Sequence, residues 1–342
     1  MSHEFESGMF VKQPAWHKLG TVVQEAPNTK EGIRLAGLAW DVVQHPIYVK
    51  TPSQYEWSSP DRVKLPEWKA LLRSTDQKPL SVVGKGYTPL QNSAAFAFFD
   101  PFLQDGDATL EAAGSLRGGK TIWVMAKLRH TPTEVGADDY VEPYLLLSNS
   151  HDGTQAVRVS YTFVRVVCAN TLAAAQEGNK NGVAIVHKRG VADALRKVQD
   201  VIKLADRTFE VSVEQFRAMK TKGVTGASLR EYVRAVVGRS NQDLDALIAA
   251  ATQAQDFDTA KELQEERDKE PRAVQQIING FNQWTGQGKA GDSVWGAYNA
   301  VTYWLEHERG HNDNTRLNSS WFGNSRMVRE KAHKEALKML TP

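Results

Sequence analysis

Along the first half of the chain, apolar residues recur at every second position. Residues 156–167 (AVRVSYTFVRVV) are the clearest case. Val157, Val159, Tyr161 and Phe163 fall on one side of an extended strand, and Arg158, Ser160 and Thr162 fall on the other. Arg165 follows the apolar set unless a bulge intervenes. Similar patterns predict strands at 41–50, near Arg62, and at 81–83, 110–115, 121–128 and 144–147. Two tight turns join neighbours, Arg117-Gly118-Gly119-Lys120 and His151-Asp152-Gly153-Thr154. Helices are predicted over 31–38, capped by Thr29, and over 89–102, capped by Asn92 or Ser93. Residues 1–30 read as an irregular arm and 51–80 as a polar connection. Asn170 is expected to cap a helix starting near Thr171.

After Lys188 the period lengthens. Val191, Leu195, Val198, Ile202, Ala205 and Phe209 lie near helical spacing within 191–219. Further helices are predicted near 227–237, 241–254, 258–280, 293–307 and 325–340, with breaks at 223–228 and 286–292. The expected fold class is α+β: a mainly antiparallel β-sheet N-terminal half with inserted helices, followed by an all-helical C-terminal half. The expected division is a β-rich domain over 1–187 and a helical region over 188–342 packing on it.

Composition adds little to this picture. The 342 residues are 41% hydrophobic and 24% charged, with a formal net charge of +2, so a core can form and no global charge imbalance points to nucleic acid. A single cysteine excludes an internal disulfide framework and a Cys-based zinc site. Cys168, at the end of a hydrophobic strand, reads as a buried thiol rather than a nucleophile. No apolar run reaches the roughly 20 residues of a membrane span, and MSHEFESGMF carries no secretory signal. These features lead us to expect a cytoplasmic protein of the host cell with no membrane partner.

Candidate chemistry concentrates in residues 148–170. His151 and Asp152 are the candidate catalytic pair, as acid and base or as metal or phosphate contacts. Asp-Gly is equally the ordinary chemistry of a hairpin turn. No spacing such as HExxH or CxxC marks a metal site, so no metal and no cofactor are expected. Arg158 and Arg165, among hydroxyl side chains, suit phosphate binding or an ordinary solvated face. Arg117 and Lys120 bracket a glycine pair that could approach an anion, although no Walker A loop is present. Lys85 and Tyr87 in Gly84-Lys85-Gly86-Tyr87 could hold a backbone and stack a base.

Several ordered segments carry a resemblance. They are Trp16-His17-Lys18-Leu19-Gly20, Ala36-Gly37-Leu38-Ala39-Trp40-Asp41, Gly86-Tyr87-Thr88-Pro89-Leu90-Gln91-Asn92, Ala113-Gly114-Ser115-Leu116-Arg117-Gly118-Gly119, Ser150-His151-Asp152-Gly153, residues 165–172 (RVVCANTL) and Ala297-Tyr298-Asn299-Ala300. From about residue 8 to the C-terminus the chain resembles the phage/plasmid-like protein family classed as domain of unknown function 932. The resemblance implies a phage, prophage or plasmid context and brings no catalytic residue with it. On this basis the expected function is binding of nucleic acid, single-stranded DNA above all, with a role in annealing, recombination or replication. Arg117, Lys120, Arg158, Arg165, Lys85 and Tyr87 would make the contacts in a homo-oligomer. Two alternatives stay open. One is a metal- or nucleotide-dependent enzyme using His151 and Asp152. The other is an interaction protein that engages a host protein to counter a defence factor.

Overall fold

The computed structural model describes residues 5–12, 19–50, 62–129, 132–136, 138–165, 170–173, 182–198, 205–309 and 324–341. In chain order the elements are β1 (Phe5–Val11), β2 (Thr21–Val23), α1 (Thr29–Leu35), β3 (Val42–Lys50), β4 (Arg62–Arg73), β5 (Pro79–Gly84), α2 (Asn92–Ala97), α3 (Asp100–Gln104), β6 (Ala108–Leu116), β7 (Thr121–Leu128), β8 (Thr133–Gly136), β9 (Asp139–Ser150), β10 (Val157–Arg165), β11 (Asn170–Ala173), β12 (Gly182–Ile185), α4 (Val191–Lys197), α5 (Ala205–Thr221), α6 (Gly226–Val237), α7 (Asn241–Gln253), α8 (Phe257–Asp268), α9 (Arg272–Gly280), α10 (Gln287–Ala290), α11 (Val294–Tyr303) and α12 (Asn324–Lys338). The fold is α+β, with strand-rich sheets in the N-terminal half and helices in the C-terminal half.

The chain divides into two compact units, each built from separated stretches rather than by one cut near residue 187. The first comprises Met1–Arg129, Tyr144–Tyr161 and Gln176–Asp206, and the second comprises His130–Pro143, Thr162–Ala175 and Arg207–Pro342. In the first, strands follow the order β10-β9-β7-β6-β1-β2, with β12 paired to the start of β10. β1 and β2 run parallel, whereas β1–β6, β6–β7, β7–β9 and β10–β12 run antiparallel. At the start of β10 the alternation holds, with Val157 and Val159 buried and Arg158 exposed. It is lost further along, where Ser160 and Tyr161 are both half-buried and Thr162 and Phe163 are both buried. Phe96, Phe99, Leu110, Val124, Leu147 and Val159 belong to one continuous apolar core.

A separate three-stranded antiparallel sheet, β3-β4-β5, also belongs to the first unit. Val42, Leu71, Leu80 and Val83 enter the core from it. The outer parts of β3 and β4 stay largely exposed.

The structure corrects several local expectations. Asn28, not Thr29, caps α1, because its side chain accepts from Glu31 N at 3.0 Å. The helix predicted over 89–102 is two short pieces, α2 and α3, and Gln91 occupies the N-cap position of α2. The polar connection predicted over 51–80 contains the twelve-residue β4. Residues 51–61 and Cys168 lie outside the described residues. Asn170 begins β11 rather than a helix. The helix predicted over 258–280 breaks before Pro271, whose ring disfavours helical geometry at the residue preceding it.

In the second unit the aromatic residues of the C-terminal half pack as a cluster. Phe216 on α5 lies 5.0 Å from Trp295 and 6.4 Å from Tyr298 on α11, measured between ring centroids. All three are almost fully buried. Side-chain caps start four helices: Thr225 with Ser228 on α6, inside the predicted break at 223–228, Ser240 on α7, Asp256 on α8, and Ser293 on α11, directly after the predicted break at 286–292.

Candidate functional site

Pairing of β7 with β9 sets Thr121 opposite Ser150. The turn before β7 and the turn after β9 therefore meet at one end of the first unit's sheet, where His151 N donates to Lys120 O at 2.7 Å. Arg117, Gly118 and Gly119 all adopt left-handed backbone angles, with φ of 53°, 72° and 89°. At Gly119 a side chain would be strained by the positive φ, and its Cβ would stand 3.0 Å from the Trp40 ring, which would have to give way. This curl turns the Arg117 guanidinium back onto the sheet. Its Nη2 donates to Thr121 Oγ1 at 2.7 Å and lies 3.1 Å from Asp152 Oδ2.

Asp152 is held on all sides. Its carboxylate accepts from the Ser150 hydroxyl, from Thr154 N at 3.1 Å and from Thr154 Oγ1 at 2.5 Å. Burial pushes its pKa up, but these hydrogen bonds and the Arg117 charge prevail, and it lies below the usual carboxylate value.

His151 points inward and is fully buried. Its Nε2 lies 2.9 Å from Asn92 Oδ1, and its ring meets Trp40 edge-on at 5.5 Å. Asn92 Nδ2 donates to the carbonyls of Leu38 and Trp40 at 3.1 and 3.2 Å. Burial, with a smaller contribution from His187, holds the His151 pKa down to about 3, so the imidazole is neutral at pH 7.

Tyr87 closes the cluster. Its hydroxyl donates to Ser150 O at 2.7 Å and its ring stacks on His187 at 4.6 Å. His187 Nδ1 donates to Thr88 O at 3.2 Å, and Thr88 N donates back to His187 O at 3.1 Å. Asn149 Nδ2 reaches Leu90 O at 3.2 Å. Residues 87–92 are thereby tied to the His151-Asp152 turn at both ends.

Chemically, this arrangement locks a turn. His151 presents no exposed ring nitrogen, and the carboxylate of Asp152 is saturated by donors. The residues that sequence reasoning missed are Asn92, His187 and Trp40. Asn92 read as a helix cap because Asn favours caps, and its true partners lie 52 to 59 positions away.

The six expected nucleic-acid contacts do not form one cluster. Arg158 is exposed on β10, opposite Ala184 of β12. Lys85 is exposed and pairs with Glu67 at 2.7 Å. Lys120 is half-buried in its turn. Arg117 and Tyr87 are committed to Asp152 and Ser150. Arg165 lies in the second unit and is fully buried. Its Nε donates to Asp139 Oδ1 at 2.7 Å, and its Nη2 reaches Asp139 Oδ2 and Gly286 O. Trp295 Nε1 donates to the same carboxylate at 2.8 Å. Arg165 therefore has no exposed guanidinium to offer a phosphate.

Among the described residues, no group of three His, Cys, Asp or Glu side chains is placed to hold a metal ion. None of the described helices is long and apolar enough to cross a membrane. A family model described as Domain of unknown function (DUF932) matches residues 79–338, more than half of the chain. The resembling segments at residues 16–20 and 36–41 lie before that match. No curated protein and no solved structure matches the chain.

Proposed function

The chain belongs to the DUF932 family, and from that footing we propose that it is a phage- or plasmid-encoded protein that binds nucleic acid. Its preferred form is single-stranded DNA, and it acts in annealing, recombination or replication within the host cytoplasm as a homo-oligomer. The observation that carries this reading is the β3-β4-β5 sheet of the first unit. Lys50, Arg62 and Lys64 are exposed on its β3–β4 ribbon together with Tyr48, and Trp68 stands further along β4; each of the two rings is 51% exposed. Exposed cations interleaved with flat aromatic rings suit a phosphodiester backbone and unpaired bases. Arg158 on β10 adds a further exposed cation. The His151-Asp152 turn supports the scaffold that carries these residues.

The test is fluorescence anisotropy of the full chain against labelled single-stranded and duplex DNA across a salt series. The expected result is preferential single-strand binding whose affinity falls by about 0.7 logarithmic units per phosphate contact for each tenfold rise in salt. No binding at low salt removes the reading. A companion mass measurement by sedimentation tests the homo-oligomer, and a monomer across the working concentration range would remove that part alone.

A further inference from the structure

We propose that the outer half of the β3–β4 ribbon is the contact face for the single strand, with Tyr48 stacking on a base and Lys50, Arg62 and Lys64 holding phosphates. This rests on the nucleic-acid reading above and assigns it a surface.

Register supplies the argument. In the outer ribbon Tyr48 pairs with Lys64 and Lys50 pairs with Arg62, while Ile47 pairs with Leu65 and Val49 with Val63. Directly opposed residues of an antiparallel pair share a face, and successive residues alternate between faces. One face therefore carries Tyr48, Lys50, Arg62 and Lys64 together, and the other carries Ile47, Val49, Val63 and Leu65. All four members of the first face are exposed. Successive same-face positions stand about 7 Å apart along a strand, so the three cations and the ring form a compact patch.

The charge pattern of that patch points to an anionic partner. Lys50 and Arg62 oppose each other directly, an arrangement that weakens a sheet when nothing lies over it. Neither they nor Lys64 forms an ion pair with any described residue. This contrasts with other cations of the first unit: Arg73 pairs with Glu6 and Asp76, Lys78 with Glu6, and Lys85 with Glu67. A chain of phosphates laid across the patch would relieve the repulsion. The Tyr48 ring, standing among the cations, supplies a stacking platform that a paired base cannot use.

The experiment compares the full-length wild type with three kinds of variant. The first is the triple variant Lys50→Gln/Arg62→Gln/Lys64→Gln. The second is a charge-matched control, Lys261→Gln/Lys269→Gln/Arg272→Gln, at exposed positions in the second unit. The third is the pair Tyr48→Ala and Tyr48→Phe. Each is read by anisotropy against single-stranded and duplex DNA, with circular dichroism to verify folding. The expected result is a salt slope reduced by about 2 in the ribbon triple variant, from three lost contacts at roughly 0.7 each. Single-strand affinity should also fall about tenfold in Tyr48→Ala and be retained in Tyr48→Phe. The control should bind as the wild type does.

Wild-type binding that survives the ribbon changes overturns this inference and leaves the nucleic-acid reading standing. An equal loss in the control overturns it too, by reducing the effect to net charge. If the ribbon triple variant keeps its affinity and instead loses self-association in sedimentation, the face belongs to a second copy of the chain and the inference fails. An equal effect of Tyr48→Ala on duplex binding overturns the stacking assignment. A wild type that binds neither form at low salt removes the nucleic-acid reading itself, and this inference with it.

Discussion

Nε2 of His151 and Oδ1 of Asn92 stand 2.9 Å apart in the buried floor of the first unit, although 59 positions separate them in the chain. The protons on this pair follow from its neighbours. Asn92 spends its amide donors on Leu38 O and Trp40 O, so its oxygen must accept. His151 is therefore the Nε2–H tautomer, and its buried Nδ1 carries a lone pair with no hydrogen-bond partner among the described residues. One asparagine thus joins α2, the segment before β3 and the turn after β9.

Replacing Asn92 with Ala should destabilise the protein by about 3 kcal/mol. It would leave Trp40 O and the imidazole N–H without the partners they have here and take one of two donors from Leu38 O, which keeps Trp40 N at 2.8 Å. Each orphaned group costs roughly 1–3 kcal/mol, with partial relaxation. Urea unfolding monitored by tryptophan fluorescence measures this. A loss below about 1 kcal/mol would show that the polar junction contributes little.

Acid should weaken the fold through the same histidine. The pKa of His151 in the folded protein is held down to about 3 against an ordinary value of 6.5. Between these values the unfolded chain binds the proton and the folded one does not. Stability is therefore fully present above pH 6.5 and is lost progressively as pH falls toward 3. The slope attributable to this group approaches about 1.4 kcal/mol per pH unit. His333 in the second unit, lowered by burial to about 4, adds a contribution over a narrower window. Denaturant titrations at several pH values between 4 and 7 should show a shallower acid dependence in His151→Asn than in the wild type. Equal slopes would mean that His151 is protonated in the folded state.

Arg165 and Asp139 form an ion pair with both side chains fully buried. Removing one partner leaves an unpaired buried charge, so Arg165→Met should cost about 3–5 kcal/mol. Replacing both partners with apolar residues should cost less than either single change. Any fall in DNA affinity in Arg165→Met should track loss of folded protein measured by circular dichroism. A well-folded variant with weakened binding would return Arg165 to the contact set.

The site and the fold were legible in the sequence to different depths, for physical reasons. Alternation along β10 is a local signal, and it put Arg165 in line with the apolar set, although Arg165 was still expected to meet phosphate. The identity of its partner was not local: Asp139 lies 26 positions earlier, and Gly286 lies 121 positions later. The β4 strand was obscured because Pro66, Glu67 and Trp68 sit at a register shift against β3, which interrupts the two-residue period. Its outer residues are exposed on both faces, so burial imposed no alternation there. Asn92 carried a local signal for the wrong role, since cap chemistry and buried amide chemistry use the same side chain. The hairpin turns were legible because glycine after Asp152 and after Arg117 announces positive φ.

Arg117 and Arg158 read alike in the sequence, yet they should respond differently to substitution. Arg158 is exposed on β10, with no ion pair to a described residue. Its loss should leave stability within about 0.5 kcal/mol of the wild type. If it touches phosphate, Arg158→Ala should reduce the salt slope for single-strand binding by about 0.7. The Arg117 side chain is 30% exposed and is tied to Asp152 and Thr121. Arg117→Ala should cost about 1–2 kcal/mol through the lost charge-assisted contacts. Its salt slope should stay at the wild-type value, because Asp152 already occupies the guanidinium. Unfolding curves and salt-dependent anisotropy on the same two variants separate the roles. A reduced salt slope in Arg117→Ala with stability unchanged would reverse the assignment and make the curled turn, rather than the strand face, the place where phosphate is met.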